Sequence, residues 1–341
     1  MPIRRNSNIA LIKFLLLTRL TSLCFALFSA LPASAEESRF AFLLQNDIFT
    51  GRDGGGYTNG ISLAHIRNAA PAEAFIAPQW LLAPVAQWFS VGPAVMTVSS
   101  LNQLMVTPGD ITRKEPAPSD APYMGALWGR AAQVSISGAM ADMLAVELGM
   151  IGPASGARQS QILIHRITGS DRPEGWDSQV PNRVLLSLER YRGVRFARDL
   201  ETSEPMGDAV LLGGGKISTL QSSIGGSLLL RYGTNLVRSY PTTMRAVNLA
   251  ADPVVLGRGW FVYGGVHVDH VVSRLGGFGE RHPLQGSTAR LRGTQLVGVM
   301  GAAYGWDEST LSFSLQNTSS VTTNTNRRKA YGSLTYTRLL H

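Results

Sequence analysis

The sequence predicts an all-β protein, a transmembrane antiparallel up-and-down β-barrel of about twelve strands with a short helix in an extracellular loop. Residues 1–35 show the basic start, the apolar stretch and the small-residue ending of a cleaved secretion signal. Beyond them no run of about 18 apolar residues occurs, which argues against a membrane-spanning helix. Segments of about ten residues instead alternate apolar and polar side chains, as the lipid and lumen faces of a barrel strand do.

Removal of the leader changes the composition of the working protein. The chain has 31 basic and 23 acidic residues, but four basic residues lie in the leader, so residues 36–341 keep 27 and a net charge of +4. They are interleaved with acids, so we expect no nucleic-acid binding. The single cysteine, Cys24, also lies in the leader, which excludes disulfides and cysteine chemistry from residues 36–341. The expected location is the outer membrane of a Gram-negative bacterium.

The alternating segments predict the strands one by one. In 307–317, for example, leucine and phenylalanine alternate with serine, and in 141–151 Glu147 faces the lumen. Residues 69–95, broken by four prolines, predict a loop with short helical turns. A water-soluble barrel or sandwich has the same period but turns its apolar face inward. The predicted strands are 39–46, 57–66, 95–106, 125–137, 141–151, 182–192, 208–220, 224–232, 258–272, 290–304, 307–317 and 330–340.

A polar stretch joins the first two predicted strands. Asn46, Asp47 and Thr58 offer carbonyl, carboxylate and hydroxyl oxygens, the ligands that Ca²⁺ takes in irregular geometry. Residues of these types are also common in hairpin loops, so a turn is the alternative. Strict alternation puts Asn46 and Thr58 on opposite faces, so a bend or a bulge at the strand ends is needed to bring them together.

A second polar stretch follows the fifth predicted strand. Gln161 and His165 are four residues apart and share one face if the segment is helical. A histidine beside a cation site can accept a proton near neutral pH, which makes His165 a candidate general base. A lone histidine is also commonly structural. The other histidines, including His267, have no comparable sequence context.

Motifs in these stretches resemble the outer-membrane lipid A 3′-O-deacylase family (LpxR). The resemblance runs from the first strand to about the sixth, and beyond residue 190 only the barrel pattern and the length agree. The motifs are Gln45-Asn-Asp47, Tyr57-Thr-Asn-Gly60, Val106-Thr-Pro-Gly-Asp110, Asp120-Ala-Pro-Tyr-Met-Gly125, Ile151-Gly-Pro-Ala-Ser155, Gln161-x-x-x-His165 and Gly175-Trp-Asp-Ser-Gln179.

The resemblance implies a twelve-stranded barrel that uses Ca²⁺ to hydrolyse the ester holding the 3′-linked acyloxyacyl chain on lipid A. His165 would activate water, and the cation would stabilise the oxyanion. The expected partners are lipopolysaccharide and outer-membrane lipids, and the expected state is a monomer or a weak dimer. The implied catalytic residues are His165, Asn46, Asp47, Thr58 and Gln161, with Asn46, Asp47 and Thr58 also binding the metal and Arg113, Lys114 and Trp176 binding the substrate.

Two positions depart from the family pattern, and two other functions remain open. Ala121 stands where the family commonly has arginine, and Arg183 where it commonly has an acid, so substrate fit is more affected than chemistry. An outer-membrane phospholipase with a Ser-His pair would carry a His-x-Ser-Asn-Gly motif, which the sequence lacks. A non-catalytic barrel or pore would conduct ions and would tolerate replacement of His165.

Overall fold

Twelve antiparallel strands close into one barrel in the computed structural model. Each strand pairs with its neighbours in sequence, and the last strand pairs with the first. The closed up-and-down order confirms the predicted fold class. The structure describes residues 38–50, 56–68, 79–118, 120–197, 206–244, 257–274, 292–319 and 329–340. The leader predicted at 1–35 lies outside these ranges.

Every predicted strand segment is a strand in the structure. The largest difference is in the sixth, which continues to Ala197 instead of ending at residue 192, because the alternation of buried and exposed side chains persists there. The strands are β1 (Ser38–Asn46), β2 (Gly56–Asn68), β3 (Met96–Thr107), β4 (Met124–Ser137), β5 (Met140–Ile151), β6 (Arg183–Ala197), β7 (Gly207–Ser218), β8 (Gln221–Gly233), β9 (Gly259–Arg274), β10 (Thr294–Trp306), β11 (Ser309–Thr318) and β12 (Lys329–Leu340). Within the described residues the α-helices are α1 (Gln79–Trp88) and α2 (Ala157–Thr168).

The outer face of the barrel is apolar and the inner face is polar. On β11, Leu311, Phe313 and Leu315 are exposed on the outside, while the alternate serine, threonine and glutamine side chains are buried inside. A water-soluble barrel would have the opposite arrangement, so this exposure favours contact with lipid. Glu147 lies in the lumen as predicted, with its carboxylate 2.6 Å from Lys216 Nζ. None of the described helices is long and apolar enough to cross a membrane.

The two ends of the barrel differ. We call the end that carries α2 the α2 end, and the end where β1 begins and β12 finishes the terminal end. Exposed aromatic rings gather near the terminal end, where Tyr232 contacts Trp260 and Tyr304 stacks on Trp306. Such rings are typical of the boundary between lipid and water.

The helix α1 corrects the prediction of a loop with short helical turns over residues 69–95. The structure has a ten-residue helix with Pro84 inside it. A proline there removes one helical hydrogen bond. Leu82 and Ala86, one turn apart, are buried where α1 packs on β4 and β5, and this burial offsets the loss. Residues 69–78 lie outside the described ranges.

The segment 234–244, after β8, fills the lumen at the terminal end. Leu236, Tyr240 and Met244 are buried in one apolar cluster with inward side chains of the strands. Arg231 fixes the segment, because its guanidinium donates to Leu236 O at 2.8 Å while it also pairs with the buried carboxylate of Asp208. The lumen is therefore closed at this end by packed side chains rather than open.

Candidate functional site

The helix α2 lies on the outer wall of the barrel, against β3 and β4. Ala157, at its first turn, is buried with Met105, Tyr123 and Trp176 in a small apolar cluster. Gly125 makes this approach possible, because a Cβ at that position would collide with the side chains at the start of the helix segment. The helix therefore sits on the lipid-facing side of the wall and not over the lumen.

Hydrogen bonds join the segment 152–182, which contains α2, to the barrel and to the loop 108–123. Gly152 N donates to Gly125 O at 2.8 Å, and Val180 N donates to Tyr123 O at 2.9 Å. The amide of Gln103, on the outer face of β3, donates to Ser155 O at 2.8 Å. These bonds fix both ends of the segment, so α2 is held as a part of the wall.

His165 lies in the last turn of α2, where the chain turns back on itself. Gly169 ends the helix with φ +65°, a left-handed conformation that favours glycine. The turn brings the carbonyl of Asp171 to within 2.5 Å of His165 Nδ1. A carbonyl only accepts, so Nδ1 carries the hydrogen and Nε2 is the nitrogen that can take a proton. The histidine is thereby oriented as a base, and Asp171 supplies the backbone contact that orients it.

Gln161 lies one helical turn before His165 and forms a buried hydrogen bond with Trp176. Trp176 Nε1 donates to Gln161 Oε1 at 2.7 Å, and the two side chains are 1% and 3% exposed. The ring of Trp176 is covered by the protein here, and the expectation that it contacts the substrate stays a prediction. Its observed role is to hold Gln161, while its ring packs on Tyr123 with centroids 4.9 Å apart.

Asn46 and Asp47 reach the same outer face from β1. Asn46 ends the strand on the face opposite Gln45, whose amide donates to Ser333 inside the barrel. Asp47 begins a 3-10 turn, Asp47–Thr50, which folds over the outer face of β12, where Phe49 covers Gly332. Both residues therefore lie on the outer wall, at the α2 end.

Thr58 is the extra residue of a β-bulge. Tyr57 pairs with Val106 and Asn59 pairs with Met105, so the ladder between β2 and β3 shifts across Thr58. The bulge lies at the start of β2, which is the strand end where the sequence called for a bend or a bulge. The side chain of Thr58 lies outside the described part of the chain.

Asn59 connects these residues to α2. It pairs with Asn46 across β1 and β2, so the two side chains share the outer face with their Cβ atoms about 5 Å apart. It also pairs with Met105, which packs against Ala157 of α2. The structure thus brings the Asn46 and His165 segments onto one stretch of the outer wall. Nowhere in the described ranges do three or more His, Cys, Asp or Glu side chains gather.

Arg113 and Lys114 lie in the loop 108–123 with exposed side chains. Their backbone packs on Gly175, at a spacing that leaves no room for a Cβ. Tyr123 closes the loop by donating its hydroxyl to Ile111 O at 3.0 Å. Burial raises the pKa of Tyr123 to about 12, so this donor stays protonated at neutral pH.

The lumen holds a polar group of three side chains that was not predicted from the sequence. His267 Nδ1 lies 2.7 Å from Ser227 Oγ, and its Nε2 lies 3.1 Å from the carboxylate of Asp269. The period-two pattern places all three on the inner face, but only the pairing of β8 with β9 brings Ser227 opposite His267. The group is separated from α2 by the barrel wall.

Sequence reasoning also missed Asn59 and Asp171 as members of the site. The motif Tyr57-Thr-Asn-Gly60 contains Asn59, but only the strand register shows that it lies beside Asn46. Asp171 acts through its carbonyl, which every residue has, so its side chain gives no signal.

Solved structures and a family model are similar to this chain. Among solved structures, LpxR from Salmonella typhimurium superposes with a TM-score of 0.67 at 16% identity, covering 88% of this chain and 99% of that one. The translocator domain of the autotransporter NalP from Neisseria meningitidis gives a TM-score of 0.41 at 13% identity, covering 97% of each chain. A comparison with curated protein sequences finds no match. The family model described as "Outer membrane protein LpxR" matches residues 20–339, and the chain therefore belongs to the LpxR family of outer-membrane β-barrel proteins.

Proposed function

We propose that the chain is a Ca²⁺-dependent lipid A 3′-O-deacylase, exported through a cleaved signal peptide and inserted with its α2 end outside the cell. Family membership, the matching fold and the lipid-facing position of the site support the proposal. The substrate is then lipopolysaccharide in the outer leaflet, and the bond hydrolysed is the ester of the 3′-O-linked acyloxyacyl chain.

The geometry of His165 carries the proposal. Its Nδ1–H donates to the carbonyl of Asp171, so Nε2 is the basic nitrogen. A backbone carbonyl at this nitrogen fixes both the tautomer and the ring orientation of a histidine. A water molecule at Nε2 would lie beside the outer wall, where an ester in the outer leaflet can reach it.

The donor set at the end of β1 and in the bulge of β2 fits a calcium ion. Asn46, Asp47 and Thr58 offer amide, carboxylate and hydroxyl oxygens from the end of β1 and from the bulge in β2. The neighbouring amide oxygen of Asn59 is buried and accepts no hydrogen bond from any described residue, as expected where an electropositive partner belongs. Ca²⁺ bound there supplies positive charge to the ester carbonyl oxygen as negative charge develops on it.

The chain's own residues then carry the proton through the reaction. His165 Nε2 takes a proton from water while the water oxygen attacks the carbonyl carbon of the ester. The bond between the carbonyl carbon and the 3′ oxygen of the sugar then breaks. The proton passes to that oxygen, which leaves as a hydroxyl group of the sugar. The products are a free acid and a lipid A with one acyloxyacyl chain fewer. Gln161, held by Trp176, keeps the helix face in register with the wall during the cycle.

The surface around the site fits both parts of a lipid A molecule. Arg113 and Lys114 present positive charge for its phosphates. Leu163 and Ile167, one turn apart on the outward face of α2, are 56% and 42% exposed. Their exposure suits contact with acyl chains.

The two other candidate functions fit the structure less well. A pore needs an open lumen, whereas the segment 234–244 fills it at the terminal end. A Ser-His hydrolase could use Ser227 and His267, which are within hydrogen-bonding distance. Both lie on strands in the lumen, where the neighbouring backbone N–H groups are engaged in the β-ladder and are not available as oxyanion donors.

Mass spectrometry of lipid A incubated with the purified barrel tests the proposal. We expect loss of the 3′-linked acyloxyacyl mass with Ca²⁺, and no loss with a chelator or with His165→Ala. Ser227→Ala is the matched control and should keep full activity. Hydrolysis that survives in His165→Ala but disappears in Ser227→Ala would identify a Ser-His enzyme instead. An unchanged lipid A mass with the folded wild-type barrel would refute the deacylase.

A further inference from the structure

Asn59 is a buried side chain on the outer wall, and its amide oxygen lacks a hydrogen-bond donor among the described residues. The side chain is 6% exposed. It pairs with Met105 of β3, which belongs to the same apolar cluster as Ala157 of α2. Buried amide oxygens almost always have a partner, so an oxygen with no donor among the described residues calls for a partner beyond them.

The position of Asn59 in the barrel indicates the kind of partner that would fit its oxygen. Asn59 lies directly opposite Asn46 in the pairing of β1 with β2, next to the turn that begins at Asp47. It follows Thr58, the extra residue of the bulge. A bulge increases the local twist and leaves its extra residue out of the ladder, so the strand end can depart from regular pairing there. Asn59 therefore lies on the second of the two strands whose ends carry Asn46 and Thr58.

We propose that Asn59 is a further ligand of the cation and contributes its side-chain amide oxygen beside Asn46. The proposal rests on the proposed function, since it adds a residue to the same site. Amide oxygens are common ligands of Ca²⁺, which takes six to eight oxygens. Asn46, Asp47 and Thr58 alone supply too few protein oxygens for that number unless water or substrate fills the rest. Asn59 adds a neutral donor that needs no deprotonation.

A purely structural role for Asn59 leads to a different expectation. A structural asparagine would use its oxygen to bind a neighbouring backbone or side chain, but no described group donates to it. Replacing a structural asparagine would destabilise the barrel with or without Ca²⁺. Replacing a ligand affects the protein only when Ca²⁺ is present.

The experiment measures Ca²⁺ binding by the purified full barrel in detergent micelles, by calorimetry and by the rise in melting temperature on adding Ca²⁺ to chelator-treated protein. The variants are Asn59→Ala and Asn59→Asp. Asn317→Ala is the matched control, because Asn317 is an exposed outward asparagine near the same end of the barrel.

We expect Asn59→Ala to weaken Ca²⁺ binding by about 10- to 100-fold, the range seen when one group that supports a metal is removed. Its melting temperature in chelator should equal or exceed that of the wild type, because an unmatched buried amide has been removed. Asn59→Asp keeps the oxygen and adds charge, so it should bind Ca²⁺ at least as tightly as the wild type. Asn317→Ala should bind normally.

The outcomes separate this inference from the proposed function. Wild-type Ca²⁺ affinity in Asn59→Ala, with hydrolysis intact, overturns the ligand role alone. Should Asn59→Ala fail to fold, Asn59→Asp decides, because weaker Ca²⁺ binding by that variant contradicts the inference. If the wild type binds no Ca²⁺ and hydrolyses lipid A in chelator, both the ligand role and the cation in the proposed function are wrong.

Discussion

Replacing Trp176 by phenylalanine is expected to loosen α2 from the wall without unfolding the barrel. Phenylalanine keeps most of the ring contact with Tyr123 but lacks the indole N–H that donates to Gln161. Gln161 Oε1 then stays buried without a donor, which costs about 1–3 kcal/mol. The opening equilibrium of the helix segment should therefore rise roughly 5- to 150-fold, while the strand ladder is untouched.

Hydrogen exchange of the amides in residues 157–168 measures this opening, and the heat-dependent migration of the barrel in gels reports global folding. Trp128→Phe is the matched control, because the indole nitrogen of Trp128 is buried with no hydrogen-bond partner among the described residues. That variant loses no hydrogen bond and should exchange like the wild type. Equal exchange of α2 in the two variants would show that the indole N–H does not hold the helix.

Three further perturbations test other contacts. Gly125→Leu should displace α2 and abolish lipid A hydrolysis in a barrel that still migrates as folded, because its side chain enters the space of the helix segment. Arg231→Met should destabilise the barrel in denaturant titrations by up to about 3–5 kcal/mol, because the buried carboxylate of Asp208 keeps only Arg195, at 3.6 Å, as a cationic partner. Alkaline pH should release the loop 108–123. The stabilisation by neutral Tyr123 is complete below about pH 10 and is lost through its pKa of about 12, so protease sensitivity of the loop should rise in that window but not in Tyr123→Phe.

The barrel could be predicted from the sequence because one face of each strand must meet lipid. Period-two alternation fixed all twelve segments, including β11, where Leu311 and its alternate neighbours face outward. The helix α1 was missed because Pro84 outweighed the periodic pair Leu82 and Ala86, and a single sequence does not show that the wall of β4 and β5 lies beneath that pair. Local rules favour a break there, and tertiary burial overrides them.

The sequence could predict only those parts of the candidate site that follow from the spacing of residues along the chain. Gln161 and His165 share a helix face because they are four residues apart, and that follows from helical geometry. The role of Trp176 depends on a contact across 15 residues of chain, so the sequence could not distinguish an indole that holds Gln161 from one that meets a substrate. Asn46 and Asn59 lie close together because of the register between β1 and β2. A bulge shifts the register by one residue, and the sequence does not show where a bulge occurs.

The location of α2 on the outside of the wall determines how a lipid would arrive. Drawing one acyl chain of about a dozen methylenes from the bilayer into water costs on the order of 10 kcal/mol, at about 0.8 kcal/mol per methylene. Beside the exposed Leu163 and Ile167 the acyl chain would stay in the hydrocarbon of the bilayer. The lipid would then reach the site by lateral diffusion. The encounter rate is then set by how many substrate molecules occupy each unit of membrane area. Diluting them with inert detergent at constant bulk concentration should slow the reaction in proportion.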